Sequence, residues 1–243
     1  MRLSIMSHKE KEGFQFRQFF VGQQHCAMKV GTDGVLLGAW AKGGTHILDI
    51  GTGTGVVALM MAQRFPSANI DAIEIDREAA GQAADNVRCS PFADRVTVTH
   101  AALQDFRPSR SYDSIVCNPP YFLNSLKAPE ASRAMARHAG EKSLTFRDIF
   151  AFAKVYATDS ATVNVVAPTL SLEALETEAY LLGFRKAHEL LLRTTPRKLP
   201  SRVLVSFSRS FHSPSEHSEQ CLMNADGSRS AWYQQLTADF YVK

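Results

Sequence analysis

The stretch His46-Ile47-Leu48-Asp49-Ile50-Gly51-Thr52-Gly53-Thr54-Gly55 decides the fold of this chain. Its first half is a short apolar run typical of a buried strand, and its second half is a glycine-rich turn. Residues Val56–Arg64 have the composition of a helix, which Phe65-Pro66 should end. A strand that passes through glycines into a helix is typical of an α/β sheet in which ligands lie beyond the carboxyl ends of the strands.

Strands and helices continue to alternate along the chain. Six further strands are predicted, at Ile70–Ile75, Val96–His100, Tyr112–Cys117, Ala161–Val166, Arg185–Leu192 and Arg202–Ser208. Their alternation with helical patterns predicts a doubly wound sheet with helices on both faces. Residues 193–200 are too few for a parallel crossover, so the last two strands should pair antiparallel. The sequence therefore predicts an α/β fold with a seven-stranded, mostly parallel sheet and an antiparallel C-terminal hairpin.

The length and composition indicate one globular domain. The chain has 243 residues, of which 45% are hydrophobic and 21% charged, and these values exclude extensive disorder and fibrous repeats. Residues 1–45 are predicted to form an N-terminal cap segment and residues 46–209 the core. Residues 210–243 are predicted to begin as a polar surface loop over 210–220 and to end in a segment that docks on the domain.

Three sequence features that are missing bear on location and cofactors. No apolar run approaches the roughly 20 residues of a membrane span, and no apolar signal-peptide region follows the N-terminus. The four cysteines are scattered, without the spacing of a disulfide framework or a zinc site. We therefore expect a cytoplasmic protein with reduced thiols, no bound metal and no obligate protein partner.

Positive charge is concentrated in two segments. The formal net charge is only +3, but residues 185–209 contain seven basic residues and one acidic residue, and residues 127–147 contain five and two. Such segments are typical of a phosphate-facing side, and equally of basic loops that are merely solvated. The charge alone leaves both interpretations open.

The glycine-rich turn and an acidic residue after the next strand indicate a ligand that contains a nucleoside. Glycines let backbone amides at a helix N-terminus approach a ligand closely. Glu74 lies 23 residues after Gly51, where a carboxylate can accept both ribose hydroxyl hydrogens. The glycine spacing differs from the dinucleotide fingerprint, and no P-loop lysine is present. A nicotinamide dinucleotide and S-adenosylmethionine both contain such a ribose, so both remain open, beside the alternative of a plain turn and a solvated acid.

The motif Asn118-Pro119-Pro120-Tyr121 follows the fourth strand directly, at the sheet edge that carries the glycine-rich turn. The exocyclic amine of adenine is a poor nucleophile because its lone pair is delocalised into the ring. The Asn118 side-chain oxygen and the Pro119 carbonyl oxygen can accept hydrogen bonds from the two N–H groups of this amine. They thereby stabilise the charge that develops in the transition state. The prolines hold these acceptors rigidly, and Tyr121 offers a stacking face. In this place the motif predicts methyl transfer to a planar amine, whereas in isolation it is an ordinary turn.

These motifs together resemble a known family. Asp49–Gly55, Glu74 and Ile115–Tyr121 resemble the cofactor and catalytic motifs of class I amino methyltransferases, which depend on S-adenosylmethionine. Three further stretches are similar to the bacterial valine tRNA adenine-N6 methyltransferases, which modify adenosine 37 beside the anticodon: Phe19–Val21, Cys26–Trp40 and Leu236–Tyr241. The resemblance spans nearly the whole chain. It implies a Rossmann-like methyltransferase fold, S-adenosylmethionine as cofactor and a tRNA substrate.

The resemblance also implies a set of site residues. The residues expected to bind the cofactor are Lys29, Thr32, Asp33, Asp49, Gly51, Thr52, Gly53, Gly55, Glu74, Ile75, Ala102, Leu103 and Asn118, and those expected to serve catalysis are Asn118, Pro119, Pro120 and Tyr121. Relatives often carry an acidic residue where this chain has Ala102, so backbone groups of Ala102 and Leu103 are expected to contact the cofactor adenine. Thr32 and Asp33 fit an ordinary helix N-cap equally well.

Four other functions remain open at this point. An N5-glutamine methyltransferase acting on a release factor would use the same amine chemistry, but roughly 45 residues before the first strand leave little room for its substrate domain. A ribosomal RNA guanine-N2 methyltransferase is a second alternative. An NAD-dependent oxidoreductase would leave Asn118–Tyr121 unexplained, and a non-catalytic RNA-binding module would leave the cofactor motifs unexplained.

Overall fold

A computed structural model describes residues 12–120, 143–210 and 215–242. The strands within these ranges are β1 Gly13–Gln15, β2 Phe20–Gly22, β3 His46–Ile50, β4 Asn69–Glu74, β5 Val96–His100, β6 Tyr112–Cys117, β7 Ala157–Pro168, β8 Arg185–Arg193, β9 Arg202–Ser208 and β10 Glu216–Cys221. The α-helices are α1 Thr32–Trp40, α2 Val56–Arg64, α3 Arg77–Arg88, α4 Phe146–Tyr156, α5 Leu172–Leu181 and α6 Ala231–Leu236.

Eight of these strands form one sheet in the order β10-β8-β9-β7-β6-β3-β4-β5. Strands β3 to β7 pair in parallel, and β9 runs antiparallel between β7 and β8. The predicted α/β class, the mostly parallel sheet and the antiparallel pairing of β8 with β9 are confirmed. Because Arg202 of β9 pairs with Pro168 of β7, the first residue of β9 lies at the edge where the parallel strands end.

The prediction was wrong about the sheet's outer strand. Strand β10 begins inside the segment 210–220, which was predicted as a surface loop, and it pairs in parallel with β8 as an eighth strand of a sheet predicted to have seven. Its residues are mostly polar, half of them are exposed and none is buried, so they lack the apolar alternation that identifies a half-buried strand. Backbone pairing holds it in place, together with the contacts Arg193–Glu219 and His217–Glu189. Charged side chains on an edge strand also discourage pairing with another chain.

Neighbouring residues of one strand belong to two separate hydrophobic cores. In β3, Ile47 packs in a cluster with residues of α1, α2 and α3, and Leu48 packs in a cluster with residues of α4 and α5. This division follows from the alternation of side chains across a strand. The sheet is therefore covered by helices on both faces, as predicted, and ligands have access at its strand ends.

Both ends of the described chain pack on the domain. The backbone amide of Arg17 donates to the carbonyl oxygen of Phe240 at 2.8 Å. Asn86 of α3 accepts from the Gly22 amide at 2.9 Å and donates to the carbonyl oxygens of Gly22 and Thr54 at 2.8 Å each. It thus ties the β1–β2 hairpin to the glycine-rich loop. In the part of the chain that the structure describes, no helix has the length and apolar character needed to cross a membrane.

Candidate active site

The loop between β3 and α2 is built on three glycines in the left-handed region of backbone space. Gly51, Gly53 and Gly55 have φ angles of 68°, 55° and 82°, which residues with a side chain rarely adopt. The amides of Gly51 and Thr52 both donate to the Ile73 carbonyl oxygen at 2.9 Å, and this fastens the loop to β4. A Cβ on Gly51 or Gly53 would meet no atom within 4 Å, whereas one on Gly55 would contact α3. The first two glycines therefore face open space.

Asp49 is a buried acid at the base of this loop, with only 1% of its surface exposed. Its Oδ2 accepts hydrogen bonds from Thr52 Oγ1 at 2.6 Å and from the Ala58 amide at 3.1 Å. Burial raises the pKa of Asp49 to about 7, although these two hydrogen bonds act to lower it and the charge of Glu74 raises it further. The carboxyl group orders the start of α2 and changes its charge near neutral pH.

Glu74 ends β4 and is also buried. Its Oε2 accepts from the Gly53 amide at 2.9 Å, and its Oε1 accepts from the Asp76 amide at 3.0 Å. Each carboxylate oxygen can accept a second hydrogen bond, so both have capacity left for a ribose hydroxyl. The contact with Gly53 was not predicted from the sequence. The Glu74 carboxylate therefore positions the glycine loop, and its binding of a ribose remains a prediction.

Asn118 leaves the sheet beside the glycine loop. Ile50, the last residue of β3, pairs with Cys117, the last residue of β6, so the two segments emerge from adjacent strand ends. Asn118 then lines the same cleft as the loop. Pro119 is buried behind it, which fixes the backbone of the motif. Tyr121 lies outside the described residues.

The glycine loop, the start of α1 and Asn118 enclose a cleft of about 410 Å³, a volume typical of small-ligand sites. Of the residues predicted to bind the cofactor, those that line it are Lys29, Thr32, Asp33, Asp49, Gly51, Thr52, Gly53 and Asn118. The residues present fit the polar end of S-adenosylmethionine. The glycines leave open space where Cβ atoms would stand, and a cationic group would stabilise the charged form of Asp49, which burial disfavours.

The other predicted cofactor residues lie beside this cleft and do not line it: Gly55, Glu74, Ile75, Ala102 and Leu103. Ala102 and Leu103 are buried directly after β5, and Ile75 is 41% exposed after β4. Glu74, Ile75, Ala102 and Leu103 lie at or just after the ends of β4 and β5, on the side of β3 away from Asn118. The resemblance assigns Gly55 to the methionine part of the cofactor, Glu74 to its ribose, and Ala102 and Leu103 to its adenine, and these contacts remain a prediction.

Arg202 lines the cleft, but the sequence pattern did not single it out for the cofactor site. Its Nε donates to Asp33 Oδ2 at 2.8 Å, which joins β9 to the first turn of α1. Helix α1 begins after Gly31 without a side-chain cap, so Thr32 and Asp33 do not act as the ordinary N-cap considered above. The antiparallel direction of β9 was the clue that could have placed Arg202 at this edge.

The basic segment 185–209 runs along β8 to the cleft edge of the sheet and back along β9 to the opposite edge. Arg185 and Lys186 begin β8 and Arg209 follows β9, so all three lie at the edge opposite the cleft. Arg185 lies over an aromatic ring, Lys186 forms ion pairs with two glutamates, and Arg209 donates to main-chain carbonyl oxygens. Within this basic segment, only residues 193–202 lie at the cleft edge. In the other basic segment, residues 127–142 lie outside the described residues.

Comparison with known proteins gives a methyltransferase family. Residues 29–145 match the family model described as Methyltransferase small domain. The chain is 43% identical over 233 residues to the tRNA1(Val) (adenine(37)-N6)-methyltransferase of Bacteroides thetaiotaomicron, covering 94% of this chain and 97% of that protein. It is 41% identical over 237 residues to the protein of the same name from Photorhabdus laumondii, covering 96% of each chain.

Two solved structures share the fold at low sequence identity. A predicted O-methyltransferase from Agrobacterium tumefaciens aligns with a TM-score of 0.64 and 17% identity, covering 86% of this chain and 96% of that one. TYW2 of P. horikoshii, solved in complex with MeSAdo, aligns with a TM-score of 0.56 and 15% identity, covering 82% and 71%. These neighbours confirm the predicted methyltransferase fold. Because the identity to the two relatives above extends over nearly their full length, the chain belongs to the tRNA1(Val) (adenine(37)-N6)-methyltransferase family.

Proposed function

We propose that this protein transfers a methyl group from S-adenosylmethionine to N6 of adenosine 37 in a valine tRNA. The relatives that it matches along nearly its whole length are named for that activity. The structural observation that carries the proposal is the position of Asn118, which lines one cleft with the glycine loop. The proposal places the protein in the cytoplasm with its RNA substrate.

The cofactor, when bound, supplies a methyl group that its sulfonium centre already activates. Asp49 and the amides of the glycine loop would bind its methionine part, and Glu74 its ribose. Asp49 suits this role because its hydrogen bonds to Thr52 and Ala58 fix the loop and the start of α2 in one arrangement. A loop that is ordered beforehand loses little conformational entropy when a ligand binds.

Asn118 acts on the acceptor amine. Its side-chain oxygen and the Pro119 carbonyl oxygen accept hydrogen bonds from the two N–H groups of adenine N6, and this favours a pyramidal nitrogen. The nitrogen lone pair forms the bond to the methyl carbon as the carbon–sulfur bond breaks, and one proton leaves N6. Tyr121 is proposed to stack on the base. Orientation of the two reacting atoms provides most of the remaining rate enhancement.

Phosphates of the tRNA are proposed to contact the basic residues at the cleft edge. Arg197 and Lys198 are exposed in the loop between β8 and β9, and neither side chain forms an ion pair or a hydrogen bond with the residues that the structure describes. Residues 127–147 are the second predicted phosphate-binding segment. Electrostatic contacts of this kind position an RNA without reading its sequence.

The proposal is tested by measuring the rate at which the variant Asn118→Ala methylates the tRNA. Loss of one of two transition-state acceptors should lower kcat by about a hundredfold, on the order of 3 kcal/mol, and calorimetry should show that the variant still binds S-adenosylmethionine. Asn69→Ala is a matched control, because Asn69 is exposed at the opposite sheet edge. Near-normal kcat in Asn118→Ala at saturating substrate would contradict the role of Asn118.

Product analysis separates the proposed activity from its alternatives. Digested tRNA should contain N6-methyladenosine at position 37. Methylated guanine in ribosomal RNA or methylated glutamine in a release factor would instead support the other amino methyltransferases. Calorimetric binding of NAD would support an oxidoreductase.

A further inference from the structure

Two leucines beside the cleft are exposed far more than other large apolar side chains. Leu170 is 95% exposed and Leu199 is 82% exposed, and no other large apolar side chain in the described ranges exceeds 68%. A single exposed leucine is ordinary on a protein surface. These two differ because Leu170 lies in the connection after β7, in the 3-10 turn Thr169–Ser171, and Leu199 lies in the loop between β8 and β9. The two loops are hydrogen-bonded to each other at the edge where the cleft opens.

The two loops form one ordered surface. The Thr169 amide donates to the Ser201 carbonyl oxygen at 3.3 Å, and Thr169 Oγ1 donates to the Pro200 carbonyl oxygen at 3.1 Å. The Lys198 amide closes a turn within its own loop by donating to the Thr195 carbonyl oxygen at 3.1 Å. The exposed leucines are therefore held on connected, hydrogen-bonded loops.

This surface combines apolar and positive groups next to the cleft. We call Leu170, Arg197, Lys198 and Leu199 the rim. Arg202, which lines the cleft, follows Ser201 at the end of the rim loop. The two cations favour a polyanionic partner, and the two leucines favour a partner that also offers flat apolar faces. A single RNA strand with unstacked bases offers both.

We propose that the rim binds the RNA strand that flanks the target adenosine, with Leu170 and Leu199 covering bases that lose their stacking partner when the target base turns into the cleft. This inference rests on the proposed function and adds the side chains that stabilise the unstacked strand. Apolar side chains are used in this way where proteins separate neighbouring bases. Arg197 and Lys198 then contact phosphates on either side of the unstacked bases.

The test compares Leu170→Ser/Leu199→Ser with the control Val155→Ser/Leu181→Ser. The control residues are 68% and 62% exposed and lie near the ends of α4 and α5, at the opposite sheet edge. The RNA is an anticodon arm with 2-aminopurine beside adenosine 37. The rim variant should bind it about tenfold more weakly, with an unchanged dependence on salt and an unchanged Kd for S-adenosylmethionine.

The fluorescence of 2-aminopurine distinguishes base contacts from general weakening. It should rise when wild type or the control variant binds at saturation, and should rise much less with the rim variant. Equal affinity and equal fluorescence for the two variants would overturn the proposal for the rim. If wild type binds the RNA but transfers no methyl group, the proposed function fails, and the comparison of the two variants still decides the role of the rim.

Discussion

The single residue Asp49 should make the free energy of unfolding depend on pH. Its pKa lies near 7 in the folded protein because of burial, against an ordinary value of 3.8. At a pH between 3.8 and about 7, the Asp49 carboxyl group is deprotonated in the unfolded chain and protonated in the folded protein. The contribution of Asp49 to the free energy of unfolding is therefore largest below pH 4. It falls by up to about 1.4 kcal/mol per pH unit as the pH rises to 7, and is constant above.

The substitution Asp49→Asn isolates this effect, because an amide mimics the protonated acid and does not titrate. Urea unfolding of both proteins, without cofactor, should show that the variant gains stability relative to wild type from pH 5 to pH 7. The difference should level off by pH 8. A difference that stays constant over this range would show that Asp49 titrates normally.

The glycine loop makes a prediction at the scale of an element. Gly53 and Gly183 have φ angles of 55° and 89°, and a Cβ on either would meet no atom within 4 Å. Alanine should therefore cost each site a similar strain, about 1–2 kcal/mol of stability. Only Gly53 faces the cleft. We expect Gly53→Ala to raise the Kd for S-adenosylmethionine by about tenfold or more and Gly183→Ala to leave it unchanged, as measured by calorimetry.

If the two variants lose similar stability and only Gly53→Ala loses cofactor affinity, the cofactor binds at the glycine loop. If both substitutions weakened binding equally, the effect would come from destabilisation of the fold. The comparison works because Gly183 closes α5 at the opposite sheet edge, where it precedes β8.

The whole molecule presents its functional groups at one edge of the sheet. The glycine loop, Asn118 and the loop before Arg202 all lie there, because parallel strands end and the antiparallel β9 begins at that edge. Removing charge from this edge should weaken RNA binding more than removing it elsewhere.

We therefore expect Arg197→Ala/Lys198→Ala to lower the slope of log affinity for tRNA against log salt by about 1–2, with cofactor affinity unchanged. The control Arg88→Ala/Lys154→Ala removes the same formal charge from the ends of α3 and α4, at the opposite edge. Fluorescence titrations at several salt concentrations measure both slopes. Equal slopes for the two variants would mean that Arg197 and Lys198 are solvated surface charges.

The parts of the fold and site that follow from local patterns could be predicted from the sequence. The turn at Gly51–Gly55 requires glycine for backbone reasons, and the short strand before it is identified by its apolar side chains. Asn118 follows its strand in the same way. Because parallel strands end at a common edge, the sequence alone was enough to place these two motifs together.

Tertiary structure alone decided the contacts that depend on which strands become neighbours. Arg202 meets Asp33, 169 residues away in sequence, because β9 enters the sheet between β7 and β8. The pairing of β9 with β8 also places Arg185 and Arg209 away from the cleft. Strand β10 is polar, so its identity depends on the backbone groups of β8 that it pairs with and not on its own side chains. A linear sequence shows periodicity and turn chemistry, but it does not show which distant backbone completes a hydrogen bond.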